Sequence, residues 1–116
     1  MSSWIKVYTN LPGHPKMNRL VASLGVDETL AIGMLVKFWT FVAKYAENGF
    51  LAGFDPDAIG MATTSNLALA RKFVPAAISA GFMDTEPLRT HDWLVYFGPY
   101  LKNKYQVDPA GTVEEV

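Results

Sequence analysis

The 116-residue sequence predicts a mainly α domain with a minor β component. Three observations carry this expectation. Two short helical segments follow one another between Asp55 and Gly81, joined by the turn Thr63-Thr64-Ser65-Asn66. A short ribbon then leads from Phe82-Met83-Asp84 back to His91-Asp92-Trp93. Ahead of both lies a long, largely apolar helix able to carry a core. Two short helices followed by a two-stranded ribbon outline a winged helix-turn-helix, with about five helices and a small two- or three-stranded sheet or wing.

Each element has a local reason. Trp4-Ile5-Lys6-Val7-Tyr8 alternates with period two and is rich in β-formers, predicting a short strand or an extended arm. Asn10-Leu11-Pro12-Gly13 breaks it. The first helix starts at His14-Pro15, because proline fits the first helical position, where its missing N–H is not needed. It carries Met17, Leu20, Val21 and Leu24 on one face and ends at Gly25. Asp27 caps the second helix, which runs to about Ala46 with Glu28 at the positive end of its dipole. Its polar seam is narrow (Gly33, Lys37, Thr40, Lys44, Glu47), predicting burial on several sides or an oligomer face. Asn48-Gly49 stops it.

Gly49 to Gly53 supplies a further short strand. Asp55 caps the third helix, with Pro56 at its first position, as far as about Ala62. The fourth helix starts near Ser65 or Asn66 and ends at Gly81, burying Leu67, Ala70, Phe73 or Val74, Ala77 and Ile78. Pro75 lies inside it, removes a donor and predicts a kink or a second start. The ribbon pairs Phe82–Asp84 with Leu88–Thr90 across Thr85-Glu86-Pro87. Asp92 caps a last helix through Tyr100 to Tyr105, interrupted by Gly98-Pro99. Residues 1–107 form the winged-helix domain, and 108–116 read as a frayed tail or the start of a linker.

Composition excludes several classes. Half of the residues are hydrophobic and 18% are charged, as in a globular domain and unlike a disordered chain. The longest apolar stretch, Leu30 to Ala46, is broken by Lys37 and Lys44, so no membrane span is expected. The first residues lack the basic-then-apolar pattern of a signal peptide. There are no cysteines, which removes disulfides and thiolate metal sites and fits the cytoplasm. Net charge is −1, a weak field for steering toward DNA. Its distribution is more permissive. Residues 1–26 hold Lys6, Lys16 and Arg19 with no acid, and residues 58–83 hold Arg71 and Lys72 with no acid. Without the three acids Asp108, Glu114 and Glu115, the balance is 10 basic to 8 acidic residues.

Catalysis is not expected. His14 and His91 are far apart in sequence, and neither shows metal-ligand spacing with another His, Cys or carboxylate. His14 reads as a helix-start residue. His91-Asp92 looks like an acid–base pair, but neighbours on one strand face opposite sides, so capping and anchoring of Trp93 is the expected role. Asp55 and Asp57 suit the start of a helix. Gly49-Phe50-Leu51-Ala52-Gly53 lacks the Lys-Ser/Thr of a phosphate-binding loop. No catalytic residue, metal or cofactor is expected, since no nucleophile–base pair is found.

The chemistry that remains is recognition by the fourth helix. Ser65 and Asn66 at its start suit phosphate contacts, and Asn66 in a major groove would suit an adenine edge. Arg71 and Lys72, about a turn and a half further on, suit phosphate or guanine. Lys16 and Arg19 on the first helix and Arg89 on the wing add phosphate contacts. The competing expectation is protein association. The aromatic supply of Trp4, Tyr8, Phe38, Trp39, Phe41, Tyr45, Phe50 and Phe54 is large, and an apolar second helix would leave a patch for a homodimer.

One ordered set of residues runs through the chain: Leu11-Pro12-Gly13-His14-Pro15-Lys16, Arg19-Leu20, Leu24-Gly25, Ala31-Ile32-Gly33, Leu35, Trp39, Asn48-Gly49, Ala80-Gly81-Phe82-Met83-Asp84 and His91-Asp92-Trp93. This set, over roughly residues 4 to 105, resembles the N-terminal winged-helix domain of phage and prophage replication proteins, akin to replisome-organizer and DnaD-like domains. Pro75 departs from the pattern, which usually keeps an ordinary helix former there. The resemblance implies a role in DNA replication initiation in the cytoplasm of a bacterial host. The implied partners are double-stranded DNA and a helicase or its loader. A winged-helix oligomerisation or docking module without DNA affinity is the alternative, and a transcriptional regulator a third.

Overall fold

The structure, a computed structural model, describes residues 4–105. Five helices and one antiparallel ribbon follow in the order α1 (Pro15–Leu24), α2 (Glu28–Tyr45), α3 (Pro56–Met61), α4 (Leu67–Ala80), β1 (Met83–Asp84), β2 (Arg89–Thr90) and α5 (Trp93–Tyr105). This mainly helical arrangement with a small two-stranded sheet is the winged-helix-like class the sequence predicts. The expected tail, residues 108–116, lies outside the described residues. No helix among the described residues is long and apolar enough to cross a membrane.

The helix starts follow their capping residues. The His14 ring accepts from Lys16 N, the Asp27 carboxylate from Thr29 N, and the Asp55 carboxylate from Asp57 N. Each satisfies a donor that the first turn leaves without an intrahelical partner. Glu28 Oε2 accepts from Gly13 N at 2.9 Å, tying the turn before α1 to the start of α2. At the end of α4, Phe82 N donates to Ala77 O and Gly81 N to Ile78 O, with Gly81 at φ 96°. This paired closure needs a left-handed residue, which glycine supplies without a Cβ penalty.

The core is built on α2, whose buried residues Ala31, Met34, Leu35, Phe38 and Val42 form one face. Phe38 meets Phe73 of α4 with ring centroids 5.2 Å apart. Met17, Leu20 and Leu24 of α1 join the same core, as do Trp93 and Phe97 of α5. The flanks of α2 are half-buried, while Leu30 and Tyr45 near its two ends are exposed. The helix therefore has one fully buried face with broad, half-buried apolar shoulders.

The closest approach is between α3 and α4. A Cβ placed on Gly60 would fall 1.8 Å from the Ala70 carbonyl oxygen and 2.6 Å from its carbon. Only a residue without a side chain lets the two backbones meet there. Thr63 closes the turn that follows, its N–H and hydroxyl both donating to Gly60 O at 2.9 and 2.6 Å.

Several expectations need correction. Of the strand or extended arm expected for Trp4–Tyr8, the strand is not formed; Trp4 lies edge-on to Tyr100 at 5.5 Å. Gly49–Gly53 contributes only a single bridge, Phe50 to Arg89, flanked by Leu51 N to Leu88 O and Thr90 N to Gly49 O. Pro75 causes no second start and Gly98-Pro99 no interruption, because α4 and α5 each run as one helix. Both prolines lie on solvent-exposed positions. There, water can satisfy a carbonyl freed four residues earlier. Leu67, expected in the core, is exposed, and both Phe73 and Val74 are buried.

Two stability predictions follow from this packing. Gly60→Ala should lower unfolding free energy by about 3 kcal/mol, because neither backbone can yield locally; denaturant melts will measure it, and an unchanged midpoint contradicts the close contact. Thr90, buried on β2, has a hydroxyl with no hydrogen-bond partner. Thr90→Val keeps the shape and removes that unmet group, and should raise stability by about 1 kcal/mol in the same assay.

Candidate nucleic-acid interface

The candidate interface lies on the first two turns of α4. Asn66 has extended backbone, and its Oδ1 accepts from Leu69 N at 3.1 Å. Asn66 N in turn donates to Thr64 Oγ1 at 3.1 Å. The chain thus enters α4 through two side-chain-to-backbone bonds, which fix where the helix starts. Ser65 and Asn66 are exposed at this end. The amide oxygen of Asn66 is committed to the cap, leaving its NH2 as the group free to face a phosphate or a base edge.

Beyond the start, α4 exposes Ala68, Arg71, Lys72, Pro75 and Ser79. Their spacing of three to four residues makes one solvent face, opposite the buried Ala70, Phe73, Val74, Ala77 and Ala80. That face has two cations and no acid. The nearest carboxylate is on α3: Asp57 Oδ2 lies 4.0 Å from Arg71 Nε, with both side chains more than half exposed (64% and 55%). Such a pair is worth about 0–1 kcal/mol, so an approaching phosphate can displace it.

The remaining expected DNA contacts are distributed differently. Arg19 is exposed on α1. Lys16, one turn earlier, donates from Nζ to Gly81 O at 3.2 Å and sits 6.0 Å from the Phe82 ring centroid. It is a tie between α1 and the end of α4. Arg89 on the wing lies 3.4 Å from Asp84 Oδ2 across the ribbon. Lys16 and Arg89 therefore belong to the C-terminal end of α4, about 20 Å of helix away from Asn66. Ser65, Asn66, Arg71 and Lys72 share the start and solvent face of α4, and Lys16 and Arg89 do not join them.

His91 and Asp92 also differ from expectation. The strand ends at Thr90, and Asp92 takes φ 51°, which turns its carboxylate back toward its neighbour. His91 Nε2 lies 3.3 Å from Asp92 Oδ2, and His91 Nδ1 lies 2.9 Å from Asp84 Oδ1. Alternation along a strand no longer applies once the backbone leaves the strand. Asp92 serves α5 through its carbonyl, which accepts from Val95 N, with its carboxylate turned to His91. Trp93 is anchored just past the end of α2 and not by His91-Asp92: its indole N–H donates to Glu47 O at 2.8 Å. The ring lies so close to Gly49 that an added Cβ would sit 2.8 Å from it.

A second feature escapes sequence reasoning altogether. A cavity of about 380 Å³ is lined by the N-terminal arm, both histidines, Lys16, Trp39, Trp93 and their neighbours. His14 and His91 are 77 positions apart, and no spacing rule joins them. Among the described residues, no cluster of three or more His, Cys, Asp or Glu side chains could hold a metal ion.

No protein-family model, no curated protein and no solved structure matches this chain.

The Asn66 cap can be separated from any contact it makes with DNA. Asn66→Ala should cost about 1 kcal/mol in thermal melts, while Asn66→Asp, still an acceptor and favoured by the helix dipole, should stay within about 0.5 kcal/mol of the parent. Equal losses in both variants would contradict the capping geometry.

Proposed function

We propose that this chain is a DNA-binding winged-helix domain whose α4 docks on duplex DNA. The observation that supports this best is the solvent face of α4, which carries Arg71 and Lys72, has no acid of its own and starts at the exposed, capped Asn66. A helix presented by a preceding helix and turn, with N-terminal donors and cations along its outer side, suits backbone phosphates first and base edges second. The charge balance points to binding of modest strength with a shallow salt dependence, as few phosphates are neutralised.

The task within the cell rests on the sequence resemblance over residues 4 to 105. The resemblance implies a role in the initiation of phage or prophage DNA replication, in the cytoplasm of a bacterial host, with a helicase or its loader as protein partner. Geometry contributes to the DNA part of this reading alone.

One observation favours docking to protein as a second reading. Met61 and Leu67, 61% and 49% exposed, flank the turn between α3 and α4. Apolar side chains beside the start of α4 suit a protein surface better than a phosphate backbone.

Fluorescence anisotropy with a labelled duplex across a salt series separates the two. DNA binding predicts that log K falls linearly with log salt, and that Arg71→Ala/Lys72→Ala lowers the slope by about 1–2 while weakening all sequences alike. Absent binding at low salt, or a double mutant identical to the parent, contradicts the proposal. A dimer in sedimentation that Leu67→Ser dissociates, without DNA binding, would establish the docking module instead.

A further inference from the structure

The cavity at the other end of α4 is the strongest feature that DNA binding leaves unused. Its volume of about 380 Å³ falls within the range of small-molecule sites.

The walls are aromatic and largely fixed. Trp39 and Phe82 meet edge to face with centroids 6.3 Å apart, and Trp93 stacks on Phe97 at 4.7 Å. Trp93 cannot swing freely, because its indole N–H is bonded to Glu47 O and its ring is pressed against Gly49. Tyr8, from the extended arm, adds another ring to the lining. Preformed aromatic faces suit a flat ring that offers its own face or edge.

The polar groups of the lining are one-sided. Lys6, His14, Lys16 and His91 contribute to it, and no Asp or Glu does. Lys16 is held in place by its bond to Gly81 O, which uses one of three ammonium protons and leaves two. The His14 ring accepts from Lys16 N through Nδ1, so the neutral ring carries its proton on Nε2 and offers it as a donor. His91 faces Asp84 and Asp92 through both nitrogens, so it adds no free donor. Recognition of a charge therefore falls to Lys16, His14 and the exposed Lys6. The end of α4 does not oppose an anion strongly, because Ala77 O and Ile78 O accept from Gly81 and Phe82 and Gly81 O accepts from Lys16.

We propose that this cavity binds a small planar aromatic anion, its ring between the aromatic walls and its acidic group at Lys16 and His14. The acidic group is a carboxylate or a phosphate, and the inference holds whether or not α4 binds DNA.

The test is a titration of the ¹⁵N-labelled protein followed through the Trp39 and Trp93 indole resonances. The probes are 2-naphthoate and adenosine 5′-monophosphate, each paired with its neutral counterpart, 2-naphthamide and adenosine. At least one anion should saturate with Kd below about 1 mM, its neutral counterpart binding at least about tenfold more weakly. Saturation by naphthoate alone assigns a carboxylate, and by the nucleotide alone a phosphate. Lys16→Met should remove most of the preference for the anion while leaving the neutral compound unchanged; Lys6→Met is the second variant if the loss of the Gly81 bond impairs folding. Neither anion saturating, equal binding of charged and neutral forms, or shifts centred on Arg71 and Lys72 would overturn the proposal.

Discussion

The contact on which the fold depends is the backbone approach of Gly60 to Ala70. A six-residue helix such as α3 has no stability of its own in water, because nucleation is costly and too few bonds follow to offset it. Docking on α4 holds it in place. A Cβ at position 60 would overlap the Ala70 carbonyl, so the approach requires glycine. The turn then follows within narrow limits: Gly60 O accepts twice from Thr63, Thr64 Oγ1 accepts from Asn66 N, and Asn66 caps α4. A chain of short bonds thus transmits the position of one helix to the start of the next. The face that α4 shows to solvent is set by that chain and by the burial of Phe73, Val74 and Ala77 behind it.

Electrostatics then distributes roles along α4. Near its start, Arg71 has an exposed and weak partner in Asp57, and Lys72 is exposed beside it. Near its end, Lys16 and Arg89 are engaged with Gly81 and Asp84. Cations that look alike in a count of charges differ in what they are free to do. A net charge near zero is compatible with a local basic face when the opposing carboxylates lie on other elements.

Much of the fold was legible because local chemistry decided it. His14-Pro15, Asp27, Asp55-Pro56 and Asn66 marked helix starts through groups that act within two or three residues. The Gly81 closure and the ribbon beyond it were legible for the same reason. The misreadings were of features decided at a distance. Pro75 and Pro99 break helices only where the freed carbonyl has no alternative partner, and their exposure is a tertiary fact. Leu67 matched the helical period, but its neighbours across space do not cover it. His91 and Asp92 were read with strand geometry, and the positive φ of Asp92 ended that geometry. The candidate cluster from Ser65 to Lys72 is contiguous in sequence, so its grouping was legible; the cavity joins residues from both ends of the chain and left no pattern to read.

The central claim is that α3 and α4 together present a DNA-facing helix. Its most direct measurement is amide chemical-shift mapping of the labelled protein with a short duplex at low salt. The account predicts shifts concentrated at Ser65 to Lys72, reversed by added salt and weaker at the cavity residues. An unchanged spectrum, or shifts centred on the cavity residues and not on Ser65 to Lys72, would contradict it.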